Sequence, residues 1–81
     1  MTIADLNAFL LRALNRKSPQ TEDELCLAAR NVFQAECKSS QVRQRLSDLD
    51  DKGYVTSVAS DGISPATYGL TKKGLHAVQN L

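Results

Sequence analysis

The sequence predicts an α+β domain: three helices, a two-stranded hairpin and a short closing helix. Three observations carry this. Apolar residues recur at helical spacing through three separate segments, each opening on a capping signal. Gly53 then ends the last of them and is followed by two β-forming runs around a turn-rich tip, 60–65. Finally, Thr71 restarts a helix near the C-terminus.

The first helix is predicted over Ile3 to Arg16, with Thr2 as cap and Asp5 in its first turn, where the helix dipole favours an acid. Ile3, Leu6, Leu10, Ala13 and Leu14 form one stripe, with Phe9 and Leu11 on opposite shoulders. Two readings of this broad arc stay open: a helix wrapped by its own core, or one that keeps part of the arc for a dimer contact.

Lys17-Ser18-Pro19-Gln20 breaks the helix and leaves room for a short strand. Thr21-Glu22-Asp23-Glu24 is a capping box, with three acids at the positive end of the second helix. That helix is predicted to reach Ala35. Leu25, Ala28, Ala29 and Val32 face inward, with Cys26 and Phe33 beside them, and Leu27 faces out. After Glu36-Cys37-Lys38, Ser39 or Ser40 is expected to cap a third helix, Ser40 to Lys52, held to the core by Val42, Leu46 and Leu49. The predicted strands are Tyr54 to Val58 and Ala66 to Leu70. The final helix, Lys72 to Asn80, turns Leu75 and Val78 inward, and Gly74 is read as weakening it.

The chain has 81 residues, which predicts one domain spanning 1–81. Net charge is only +1, yet its distribution is uneven. From Lys38 onward, Lys38, Arg43, Arg45, Lys52, Lys72 and Lys73 outnumber Asp48, Asp50, Asp51 and Asp61. The earlier half is slightly acidic. Cys26 and Cys37 form no CxxC pair and read as reduced, structural thiols. With the lone His76 they make no zinc set. Neither a cofactor motif, nor a phosphate loop, nor a nucleophile–base pair appears, so neither cofactor nor metal nor enzyme activity is expected. The N-terminus lacks a secretory pattern and no run is long enough to span a bilayer, so a cytoplasmic location and no membrane contact are expected.

The run Val42-Arg43-Gln44-Arg45-Leu46, Leu49 and Lys52-Gly53-Tyr54-Val55 resembles the recognition helix and first wing strand of winged helix-turn-helix regulators. Tyr68-Gly69-Leu70-Thr71-Lys72-Lys73-Gly74 resembles their closing strand and helix cap. The two motifs and the segment between them cover a little under half of the chain. The interval from Leu25 to Val42 is wider than in compact members.

The resemblance implies a small sequence-specific DNA-binding protein, such as a transcription regulator, whose partner is double-stranded DNA. The third helix would enter the major groove. There Ser40, Gln41, Arg43, Gln44 and Ser47 would take the groove-facing side, Arg suiting guanine and Gln suiting adenine. Lys38, Ser39 and the amides at the helix start would meet phosphate. Gly62 of the wing tip, Lys72 and Lys73 complete the expected backbone contacts. Dimerisation through the first helix and Leu75, Val78 and Leu81 would let a palindromic site be read. The alternative is a winged-helix adaptor whose partner is a protein. The near-neutral charge, the acids Asp48, Asp50 and Asp51, and a wing tip without Lys or Arg favour that alternative.

Overall fold

The computed structural model describes residues 2–58 and 66–81. Its elements run α1 (Ile3–Arg16), β1 (Gln20–Thr21), α2 (Glu22–Phe33), a 3-10 turn (Gln34–Glu36), α3 (Ser39–Asp51), β2 (Val55–Val58), β3 (Thr67–Leu70) and α4 (Lys72–Gln79). The three strands make one antiparallel sheet in the order β1-β3-β2. Val55 pairs with Leu70, Val58 with Thr67, and on the other edge of β3 Gln20 with Tyr68. The architecture is the one expected, including the short strand before the second helix. The turn predicted over 60–65 lies outside the described residues.

Local chemistry starts each helix. The Thr2 hydroxyl accepts the Asp5 amide at 3.0 Å, and the Asp5 carboxylate accepts the Thr2 amide at 3.0 Å. Thr21 and Glu24 repeat the box at 3.1 and 3.0 Å. At α3 the expected serine cap is absent. Lys38 takes the cap position in extended backbone, and its amide donates to Oε1 of Gln41 at 2.8 Å. A lysine side chain has no acceptor, so only the reciprocal half of the box is made. The helix consequently starts at Ser39 rather than Ser40. It ends as expected at Gly53, whose φ is 83°. The Gly53 amide donates to Asp50 and the Tyr54 amide to Leu49, a pair of bonds that closes the last turn and aims the chain into β2.

The core lies where α1, α2 and α3 meet, with β2 closing one side. Leu6, Leu10, Leu14, Leu25, Val42, Leu46 and Val55 are the largest fully buried side chains. Each contributes about 1.5–3 kcal/mol by leaving water. Leu11, on a shoulder of the α1 stripe, is buried, because α1 is covered on more sides than one stripe can serve. Some inward assignments need correction. Ile3, in the first turn of α1, lies beyond that cover and is 63% exposed. Val32 is 58% exposed: the last turn of α2 overhangs the core. There Phe33 packs edge-on against Phe9, at 5.6 Å between ring centroids, and Val32 is left on the rim of a groove shared with Phe9 and Arg16. The helix stops at Phe33 rather than Ala35 because Gln34 adopts φ 57° and ψ −135°, a conformation that costs a residue with a Cβ.

Gly74 also has a different role from the one expected. It is buried, and a Cβ there would overlap the Tyr54 carbonyl oxygen and lie 2.9 Å from Cδ1 of Leu70. The missing side chain lets α4 approach the start of β2. The contact face of α4 is therefore centred on Gly74, Ala77 and Val78, and Leu75 is left partly exposed rather than inward. Thr71 fixes this junction: its hydroxyl accepts the Gly74 amide and donates toward the Gly53 and Tyr54 carbonyls.

Candidate nucleic-acid interface

With Val42, Leu46 and Leu49 turned into the core, α3 presents its opposite side to solvent. Ser39, Ser40, Gln41, Arg43, Gln44 and Ser47 all lie on the solvent side, and Lys38 stands exposed just before the first turn. The amides of that first turn point along the axis toward solvent, which together with Lys38 makes the N-terminal end attractive to an anion. Serines on this face are short enough to let a helix approach a surface closely.

The longer polar side chains are held in different ways. Nε of Arg43 donates to Oε1 of Glu22 at 2.9 Å. That hydrogen bond, reinforced by the carboxylate charge, raises the pKa of the guanidinium further above its usual value. Gln44 reaches Asp48 at 3.3 Å. Arg45 is largely buried and pairs with the same Asp48 at 2.6 Å, so it is an intramolecular partner to an acid. Asp48, expected to repel a polyanion, is thereby neutralised, whereas Asp50 and Asp51 stay exposed toward the C-terminal end of α3.

The two lysines expected to meet backbone phosphate, Lys72 and Lys73, stand on α4, apart from the α3 face. Lys73 donates to the Lys52 carbonyl at 2.7 Å and sits 4.9 Å from the Tyr54 ring centroid. It therefore caps the negative end of α3, about 20 Å from the helix start. Lys72 lines a cleft with Leu14, Asn15 and Ser18 beside the end of α1. Neither joins the Ser40–Ser47 face. Gly62 lies outside the described residues.

The pairing of Glu22 with Arg43 is a feature of this face that sequence reasoning missed. The acid of Glu22 was assigned to the dipole of α2, and nothing local connects it to Arg43, 21 positions later. The packing of α2 against α3 brings the two together. Tyr68 of β3 borders the same place, lining a small cleft with Glu22 and Asp23, and burial raises the pKa of its hydroxyl.

Among the described residues, no group of three or more His, Cys, Asp or Glu side chains could hold a metal ion. No described helix is long and apolar enough to cross a membrane. Cys26 and Cys37 are free and buried, and burial raises both thiol pKa values.

No protein-family model matches the chain, and no curated protein matches it. Solved structures do. The hsRosR-S4 complex structure is similar at a TM-score of 0.81 and 22% identity, over 91% of this chain and 63% of that one. A transcriptional regulator from Clostridium thermocellum aligns at 0.79 and 16% identity, over 93% of this chain and 74% of that one. PadR of Bacillus subtilis, in complex with operator DNA, aligns at 0.72 and 21% identity, over 93% of this chain but 45% of its own. The chain thus spans under two thirds of the first of these proteins. At these identities the likeness shows the fold, which is a winged helix-turn-helix.

Proposed function

We propose that this chain is a single winged-helix domain that binds double-stranded DNA sequence-specifically as part of transcription regulation, acting in the cytoplasm and without enzymatic activity. The carrying observation is the outward face of α3. It offers Ser40, Arg43, Gln44 and Ser47 to solvent above a buried apolar seam, the first three of them in its N-terminal half. Readout in helix-turn-helix proteins concentrates at that end of the recognition helix. The similarity to structures of transcriptional regulators, one of them holding operator DNA, supports the reading.

In this arrangement Lys38, Ser39 and the first amides of α3 grip phosphate, and Arg43 and Gln44 meet base edges. Lys73 also acts as a structural cap on α3, and Lys72, exposed at the start of α4, is left to meet a flanking phosphate. A homodimer would read two half-sites about one helical turn apart. Leu11 is buried and unavailable for its interface, which leaves the exposed Ile3, Leu75 and Leu81.

The test is binding to duplexes selected from a random pool, against unselected duplex, across a salt series. Arg43→Ala reduces discrimination by about 1–3 kcal/mol. Lys38→Ala weakens both duplexes alike and lowers the salt slope by about 1. The groove at Phe9, Val32 and Phe33 favours a second reading, a protein adaptor. Duplex affinity unchanged by both substitutions at low salt, with a protein partner lost on mutating Val32 of that groove, would establish that reading instead.

A further inference from the structure

Arg43 is the longest side chain on the outward face of α3, and it does not project freely. Its Nε is bound to Glu22 Oε1 at 2.9 Å, while its side chain is still 74% exposed against 28% for Glu22. The carboxylate is therefore the anchored partner and the guanidinium the presented one. Glu22 is itself fixed, as the first residue of α2 immediately after the Thr21 cap. The bond to Nε engages one of the five guanidinium N–H donors, and the other four belong to the terminal nitrogens Nη1 and Nη2.

Resting on the DNA-binding reading above, we infer that Glu22 is a positioning residue that sets the sequence specificity of Arg43. A free arginine can approach a purine edge through Nε and one Nη, or through both Nη atoms. With Nε occupied, only the end-on fork remains, which matches guanine O6 and N7 as a parallel pair of acceptors. Restricting the rotamers beforehand removes an ordering cost from binding. The pairing has a second effect. Glu22 cancels most of the long-range field of Arg43, so the arginine adds little to indiscriminate attraction for phosphate. One carboxylate therefore separates discrimination from general affinity.

The experiment compares Glu22→Ala, Glu22→Gln and Arg43→Ala in the full chain, using a selected and an unselected duplex. Glu22→Ala is expected to lower the ratio of the two affinities roughly two- to tenfold, the scale of one unrestrained side chain. It also strengthens binding to unselected duplex and steepens its salt dependence, because Arg43 is released to phosphate. Glu22→Gln keeps an acceptor for Nε and is expected to hold the ratio within about twofold, since the hydrogen bond sets the geometry. In an Arg43→Ala background, Glu22→Ala changes the ratio no further. A merely structural role for Glu22 lowers both affinities together and follows the loss of thermal stability. That pattern, or an unchanged ratio in Glu22→Ala while Arg43→Ala collapses it, overturns the inference and leaves base reading by Arg43 intact. If Arg43→Ala itself leaves the ratio unchanged, the reading of α3 fails and the positioning role fails with it.

Discussion

Replacing Gly74 with Ala sets two effects of opposite sign against each other. In an isolated helix the change is stabilising by ~1 kcal/mol, because glycine has the larger entropy to lose. In this fold the new Cβ overlaps the Tyr54 carbonyl oxygen and crowds the carbonyl carbon at 3.0 Å. The obstacle is backbone, held by the Gly53 turn and by β2, so no rotamer change relieves it. The start of α4 must move away, which costs ~1–3 kcal/mol as overpacking. The movement also loosens the Thr71 bonds to Gly53 and Tyr54, at 2.6 and 3.0 Å, for about 1 kcal/mol each. The net expectation is a destabilisation of about 2–4 kcal/mol, or a fall in Tm of roughly 10–25 °C for a chain of this size. Urea and thermal unfolding followed by far-UV circular dichroism measure it. Gly69→Ala is the control: nothing lies within 4 Å of its added Cβ, and stability should hold or rise slightly. A Gly74→Ala protein as stable as the parent, or more so, would refute the close-approach argument and leave helix propensity as the whole story.

Four further outcomes are expected. Gln20→Leu removes a buried amide that donates to the Ala13 and Lys17 carbonyls at 3.0 and 2.6 Å; chemical denaturation should show a loss of about 1–3 kcal/mol. Gln34→Gly relieves the positive φ at the end of α2 and should raise stability by about 1 kcal/mol in the same assay. Asp5 and Glu24 have folded pKa values depressed below their ordinary 3.8 and 4.5, chiefly by the Thr2 and Thr21 amides. Their stabilisation is present above those ordinary values and lost as pH falls through the depressed ones, so urea midpoints should be flat above about pH 5 and decline below it. That acid limb should flatten in an Asp5→Asn, Glu24→Gln double variant, which removes the two titrating carboxylates. Cys26 and Cys37, buried and with raised pKa values, should resist a thiol-reactive disulfide reagent in native buffer and react fully in denaturant.

The features legible in the sequence are those set within four or five residues. The cap at Thr2, the box at Thr21, the Gly53 stop and the Thr71 cap each depend on a local bond, and each is where its residues imply. The seam of Val42, Leu46 and Leu49 followed from helical spacing alone, and it oriented the exposed face of α3. Non-local facts were not legible. Gly74 is defined by Tyr54, 20 positions away, so its packing role looked like a propensity defect. Lys73 reads from the sequence only as a phosphate contact, and its place beside the end of α3 depends on packing. Leu11 and Val32 lie on plausible faces of their helices. Their burial depends on where neighbouring helices begin and end, which periodicity does not encode. The Glu22–Arg43 pair needs the packing of α2 on α3 before either residue points to the other.

Thr21 belongs at once to β1, where it stands opposite Thr67, and to the cap of α2, where its hydroxyl takes the Glu24 amide. The next residue is Glu22. Three demands therefore fall on one position. Its backbone must be extended, its side chain must carry an acceptor within reach of the Glu24 amide, and its bulk must fit a half-buried strand edge. Asparagine and aspartate satisfy the second demand but suit strands poorly, and valine satisfies the first and third without an acceptor. Serine meets all three, with less β preference. In the language of sequence space, this site has almost no freedom, although most of its neighbours can vary widely. A chain diverging under selection for this fold would alternate between threonine and serine here while the surface of α2 changed almost without restraint.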